Sequence, residues 1–403
     1  MEKKQKVVII GHGYTSRLGI IRSLAELDCE ITVIAMVSHK FWGRFIRLNW
    51  GKPIDCYSKY VHQMYYCPLK DGEGLINLLL EKCVDSRQKV IVIPDTDFSA
   101  VVIDNNQDRL KDHFLFPHIS HRQGNVVKWM DKDMQKTLAR EVGLNVANSK
   151  IVNILDGRYD IPDDIEYPCF TKPVITIVGG KQYFKRCDTK EELSKLLDFA
   201  SREKNIAILV EDFKEITREY ALLGFSDGYN VVIPGIIEFI ANSKSHFGIA
   251  REGKVMPVAG FEAIINQFKL FVQHMGFCGL FDIDFYESGG KLFFGEMNLR
   301  FGGSGYAVTK KGVNLPAMLV KHLLGEDYSE MPSVISGIST YANERMCIDD
   351  WLFSYISEHE YYSIINRADI KFVSDDEDPA PYSRLKNNLR LHRFKRKLKK
   401  WLK

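Results

Sequence analysis

The chain has 403 residues, 45% of them hydrophobic and 27% charged, with a formal net charge of +3. That balance suits a globular protein of two or three domains, and no apolar run approaches the roughly 20 residues that cross a bilayer. Ten Lys or Arg and no acid fall within residues 384–403, which leaves −7 for everything before them. A body of that sign is a poor general nucleic-acid binder.

In chain order, MEKKQKVVIIGHG sets only four apolar residues after its lysines. That is too short for a signal-peptide core and reads as a first strand, so a cytoplasmic location is expected. The turn GHGYTSRLG leads into the helical pattern IIRSLAEL, while ITVIAMV (31–37) and KVIVIP (89–94) read as buried strands separated by helices such as GLINLLLEKC. The alternation predicts a parallel α/β domain over residues 1–122. The glycine spacing is G-x-G-x-x-x-x-x-G, and the second strand ends without a ribose-binding acid, which argues against a nicotinamide cofactor.

Residues 123–330 mix strands and helices without strict alternation, which predicts an α+β unit. MDKDMQKTLAREVGLNV reads as a helix ending at Gly143, followed by strand-like YPCFTKPV, the glycine turn VGGK and the helix TKEELSKLLDFASREK. IAILVEDF, EYALLGFS and YNVVIPGIIEFI are predicted strands, AIINQFKLFVQHMG a helix, and LFDIDFYESGGKLFFGEMNL a hairpin. A helix near 314–325 precedes a C-terminal extension, 331–403, with an acidic loop at 375–379 and the basic tail. The eight cysteines lack metal-like spacing and read as free buried thiols.

The hairpin carries the chemistry. Asp282 and Asp284 are two apart and share a face, and strand alternation puts Leu292 and Phe294 on one face with Glu296, Asn298 and Arg300. With Ser288-Gly289-Gly290 as the loop, Asp282 is expected opposite Glu296, with Asp284 its diagonal neighbour. Carboxylates and an amide converging on one patch call for a cation, and all-oxygen ligands favour magnesium, with manganese as the alternative. Arg300 adds a guanidinium suited to phosphate oxygens, and the glycine-rich turn 302–305 before a helix offers backbone N–H groups to an anion. Lys132 and Lys172, each ordinarily a surface residue, read beside these features as point charges for nucleotide phosphates.

These elements, in this order, resemble the ATP-grasp superfamily over about residues 5–325: DK at 131–132, K-P before a glycine loop at 172–180, ILVEDF at 208–213, D-x-D at 282–284 and E-x-N-x-R at 296–300. The resemblance implies two lobes gripping ATP. Lys132 and Lys172 would contact phosphates, Gly179, Gly180 and Lys181 would cover them, and Glu211, Asp212 and Phe213 would read adenine largely through backbone groups. Glu219 would lie near the ribose, Asp284, Glu296 and Asn298 would hold magnesium, and Arg300 would meet the transferring phosphoryl group. GHGYTSRLGIIRSL, FPHISHRQ with WMDKDMQK, and FFGEMNLRFGGSGYAVTKKGVNL are most similar to D-aspartate ligases and related carboxylate–amine ligases of the cell envelope. D-alanine ligases carry an arginine two residues before the first metal acid, where this chain has Asp282, so D-alanine ligase itself is not implied.

The implied activity is amide formation through an acyl phosphate, with ATP, a carboxylate and an amine as partners. Lys172 and Arg300 would be the catalytic cations, and Ser16, Arg17, Gly303 and Ser304 would hold substrate. The alternatives are an ATP-grasp phosphotransferase or carboxylase, and a nucleotide-binding regulatory protein without turnover. Leu385, Leu389, Phe394, Leu398, Trp401 and Leu402 recur among cations at roughly helical spacing. The tail is therefore read either as a helix lying on an anionic membrane or as one docked on the body. Whether the chain forms a homodimer is open at this stage.

Overall fold

A computed structural model describes residues 4–12, 14–37, 52–175, 180–246 and 248–389. Gly179, the Lys181 side chain and residues 390–403 lie outside this set, and with them most of the glycine loop and of the basic tail.

The N-terminal strands are β1 (Lys6–Gly11), β2 (Glu30–Val37), β3 (Val61–Pro68), β4 (Val90–Pro94) and β5 (Phe114–Leu115). They form one parallel sheet in the order β3-β2-β1-β4-β5. Apart from Lys6, Glu30 and Thr32, its central strands are apolar, because helices cover both faces. The helix Gly72–Lys82 packs one side, and Tyr14–Leu24 packs the other.

The strand β6 (His118–Ile119) leads to the second half of the chain. There β7 (Ser149–Ile154), β8 (Cys169–Pro173), β9 (Lys185–Cys187) and β10 (Ile206–Asp212) make an antiparallel sheet ordered β7-β10-β8-β9, with the helix Lys190–Ala200 on its apolar face. The large sheet comprises β11 (Arg218–Asp227), β12 (Val231–Val232), β13 (Ile236–Asn242), β14 (Ala250–Met256), β15 (Phe277–Ser288), β16 (Lys291–Asn298), β17 (Ser339–Ala342) and β18 (Ile370–Lys371). Its path runs β16-β15-β11-β13-β14-β17-β18, with β6 beside β15 and β12 beside β11. The segment expected as one strand, YNVVIPGIIEFI, is broken between β12 and β13 around Pro234, which has no N–H for a ladder.

Alternation on β15 decides where the site lies. Phe281, Ile283 and Phe285 face the helix Glu262–Met275 in one core. Leu280 faces the other core, which the large sheet shares with β1, β2 and the helices Tyr14–Leu24 and Leu315–Leu323. Asp282, Asp284 and Tyr286 continue the Leu280 face beyond the end of that core.

The C-terminal region binds back on everything before it. Arg22 donates to the carbonyls of Phe372, Val373 and Asp378 and to the Asp378 carboxylate at 3.0 Å. The fully buried Glu344 accepts the N–H groups of Phe372, Val373 and Ser374. Leu385 is buried and Leu389 packs against the same C-terminal core, so the described start of the basic tail is docked on the body. Among the described residues no helix is long and apolar enough to cross a membrane. All eight cysteines are free and buried, as expected from their spacing.

Candidate active site

The hairpin turn is tighter than expected. Ser288 pairs with Lys291, so Gly289-Gly290 alone turns the chain, both at positive φ (+56° and +72°), a conformation glycine adopts without steric cost. A second departure follows. The register shifts between Asp284 and Phe285, where Gly295 is the extra residue on β16, giving Asp284↔Glu296 and Asp282↔Asn298. A β-carbon on Gly295 would come within 2.9 Å of the Asp284 carbonyl oxygen. The bulge reverses the phase of the strand: Phe294 and Met297 enter the core, whereas Glu296 and Asn298 point to the opposite face. The expectation that Leu292 and Phe294 share a face with Glu296, Asn298 and Arg300 is therefore corrected, as is the Asp282–Glu296 pairing.

Burial and like charge set the behaviour of this acid group. Burial pushes Asp282 up to about 6, with Arg300 opposing and Glu296 reinforcing the rise. Asp284 is raised well above the usual carboxylate range by burial and by Asp282 and Glu296. Glu296 goes the other way, to about 2, because Lys132 and then Lys172 outweigh its burial. Lys132 opens the helix Lys132–Glu141, capped by the Asp131 side chain, and pairs directly with Glu296. Lys172, on β8, reaches Glu211 on β10 at 3.1 Å. Both lysines are buried, at 6% and 8% exposure, so neither is the solvated surface residue that a lone lysine would be.

Glu211 is not a hinge side chain facing outward. It is buried and gripped by Lys172 and Lys136, which hold its carboxyl below the usual range against the cost of burial. Desolvation, reinforced by Lys172, lowers Lys136 to about 8 against the pull of Glu211. The N–H of Asp212 is donated to the Asn148 carbonyl and that of Phe213 to the Pro168 carbonyl. Those two N–H groups are thus already occupied. Tyr286 and Phe293 stack at 5.6 Å on the cleft face, and Glu219 sits opposite Tyr286 on β11, accepting from the Asn242 amide. A cavity of about 400 Å³ adjoins the same edge, lined by Arg140, Asn148, Glu211 and Asp212 among others.

Arg300 bridges the two halves of the molecule. Its Nε lies 3.2 Å from Asp97 Oδ1, at the start of the helix Asp97–Asp104, and its Nη1 lies 3.4 Å from Asp282 Oδ2. Gly302 backs this arrangement, since a β-carbon there would meet Asp282 Oδ2 at 2.5 Å. A β-carbon on Gly303 would lie 3.7 Å from Thr15 Oγ1, at the start of the first helix, and the N–H of Gly305 is spent on the Gly302 carbonyl. Arg17 is not presented to substrate. It is fully buried, bonded to Asp55 and to the Gly11 carbonyl, which corrects its assignment as a substrate ligand.

Sequence reading missed Asp97, His12 and Lys136. Asp97 follows a parallel strand in VIPDTD, where α/β sheets tend to place ligands, and Lys136 is one turn beyond Lys132 on the same helix face. Among the described residues no three His, Cys, Asp or Glu side chains are gathered to hold a metal ion by themselves. On the hairpin, Asp284 stands opposite Glu296, Asn298 Nδ2 lies 3.4 Å from Asp284 Oδ2, and the buried Asp282 Oδ1 lacks a hydrogen-bond partner among the described residues.

No family model matches the chain. It is 24% identical over 209 residues to the carbamoyl phosphate synthase large chain of Gemmatimonas aurantiaca, covering 50% of this chain and 19% of that one. The chain thus spans about a fifth of the length of that relative. Among solved structures, the L-amino acid ligase from Bacillus licheniformis superposes with a TM-score of 0.60 at 18% identity, over 84% of this chain and 80% of that one. The biotin carboxylase domain of Hydrogenobacter thermophilus 2-oxoglutarate carboxylase, solved with MgADP, ADP and bicarbonate, gives 0.61 at 17%, over 84% and 74%. The parallel N-terminal sheet, the small antiparallel lobe and the large sheet beneath it make this chain an ATP-grasp fold.

Proposed function

We propose that the protein is an ATP-dependent carboxylate–amine ligase. In this reading residues 1–122 form the substrate-side α/β domain, 123–330 the nucleotide-binding unit and 331–403 the brace around them. The observation that carries it is the set of cations around one hairpin: Lys132 pairs with Glu296, Arg300 pairs with Asp282, and Lys172, held by Glu211, lies near enough to Glu296 to lower its carboxyl. Buried lysines near Asp282 and Asp284, whose carboxyls burial and mutual repulsion push up, suit a polyphosphate and a divalent cation arriving together.

The residues fit magnesium. Asp284, Glu296 and Asn298 would hold it, all through oxygen, and the orphaned Asp282 Oδ1 leaves an acceptor in reach of the same group. Magnesium keeps several waters and commonly takes only one or two protein carboxylates with phosphate oxygens, which accords with the small donor set. It would supply charge neutralisation on the phosphoryl group. The chain's own groups do the rest. Lys132 and Lys172 fix the polyphosphate, and Arg300 orients the transferring phosphoryl group toward the substrate carboxylate. The carboxylate oxygen attacks phosphorus, ADP departs, and an amine displaces phosphate from the acyl carbon. Gly303, Ser304 and Ser16 would hold the acid substrate. Glu219 would serve the ribose, and Gly179, Gly180 and Lys181 would cover the phosphates.

The amide reading is favoured over phosphotransfer or carboxylation because the motifs GHGYTSRLGIIRSL and FFGEMNLRFGGSGYAVTKK resemble D-aspartate ligase-like enzymes, and a structural neighbour is an L-amino acid ligase. A role in envelope precursor synthesis is the setting that this resemblance suggests. The test is ADP release with pooled amino acids. Amine-dependent release with a hydroxylamine-trappable acyl product supports the ligase, and ADP release with no amine requirement supports the phosphotransferase.

A further inference from the structure

Two groups from the N-terminal sheet lie near Arg300, Asp97 in direct contact and His12 within its field. Asp97 Oδ1 holds Arg300, but its Oδ2 makes no hydrogen bond among the described residues, and its side chain remains 31% exposed. Asp97 lines a small cavity with Lys132, Ile175, Met297 and Asn298. His12 follows β1, and its imidazole lies in the fields of Arg17, Asp97 and Arg300. Because β1 and β4 are adjacent and parallel, His12 and Asp97 emerge side by side at the carboxyl ends of neighbouring strands.

Charge sorts the ligands of this cleft. The cations Lys132, Lys172 and Arg300 serve anionic oxygens, whereas the unbonded oxygen of Asp97 repels an anion and accepts only a cation or a hydrogen-bond donor. We propose that Asp97 and His12 form the seat of the amine substrate in its ammonium form, with Asp97 holding the cation and His12 accepting its proton. The inference rests on the ligase reading and names the class of its nucleophile, a protonated amine. Burial lowers the His12 imidazole, and Arg17 and Arg300 add to this against Asp97, which favours the neutral ring that can take a proton.

The step balances. R–NH3+ gives one proton to His12, and the freed nitrogen lone pair forms the C–N bond at the acyl phosphate. The C–O bond to phosphate breaks with its electron pair on the departing oxygen; of the two protons left on nitrogen, one leaves with phosphate and the other stays on the amide. His12 returns its proton to water.

The experiment uses the full chain with ATP, magnesium and a pool of D- and L-amino acids, which supplies both carboxylate and ammonium. A parallel reaction adds hydroxylamine, which is uncharged at neutral pH and needs no cation seat. In Asp97→Asn and in His12→Gln, at the exposed end of β1, the ratio of amide to hydroxamate falls by about 100-fold, the usual scale for losing a positioned acid–base group. An unchanged ratio in both variants, with the parent chain making amide, overturns the seat while leaving the ligase reading intact. A parent chain that makes neither amide nor hydroxamate overturns the ligase reading itself.

Discussion

Glu296 illustrates how one side chain can answer to two partners. In the free protein it is paired with Lys132, and that pairing holds its carboxyl at about 2. Glu296→Gln keeps the shape and removes the charge, so magnesium-dependent ADP formation should fall by at least about 100-fold, as when a key electrostatic group is lost. Retention of full activity would remove Glu296 from the site. Arg300→Lys keeps a cation but cannot span Asp97 and Asp282 with one planar fork. It should depress turnover by about tenfold or more with little change in ATP affinity, read by separating kcat from KM. Lys136 gives a pH signature. Its folded value of about 8 lies below the usual 10.5, so between those values the unfolded chain binds more protons and stability rises with pH. Lys136→Met should abolish that rise in denaturant titrations between pH 8 and 10, and an unaltered slope would contradict the assignment. Lys132 and Lys172 were legible as types in motifs, whereas Lys136 was not. Their burial and pairing were not, because those depend on strands far apart in sequence.

At the level of elements, the hairpin shows what pattern reading can and cannot resolve. Two strands, a glycine turn and a D-x-D facing an E-x-N were visible in the order of residues. A one-residue bulge was not, since Gly295 looks like any strand glycine until its neighbours are placed, and a single extra residue exchanges the two faces of everything after it. The same hairpin gives a stability test. Gly290→Val forces a β-branched residue to φ +72° and should cost about 1 kcal/mol or more in denaturant unfolding. Gly302→Ala should mainly damage activity, because the added methyl collides with the Asp282 carboxylate that steadies Arg300.

Across the whole molecule, the alternation of strands and helices in the N-terminal region and its loss afterwards reads correctly as a parallel sheet followed by mainly antiparallel sheets. The bracing from the far end was hidden, because Arg22 and Asp378 are 356 residues apart. Arg22 ties the first helix to residues 372–378, and Asp375 accepts from Tyr306 and Lys310 just beyond the glycine turn. Arg22→Ala leaves Asp378 buried and uncompensated and should cost about 3–5 kcal/mol, measured by chemical denaturation. The most direct measurement of the central claim is product analysis of the full chain with ATP, magnesium and pooled amino acids, with and without hydroxylamine. The account predicts ADP in step with a new amide, and a hydroxamate when the trap is present. ADP formed without either acyl product, or no ADP at all, would contradict it.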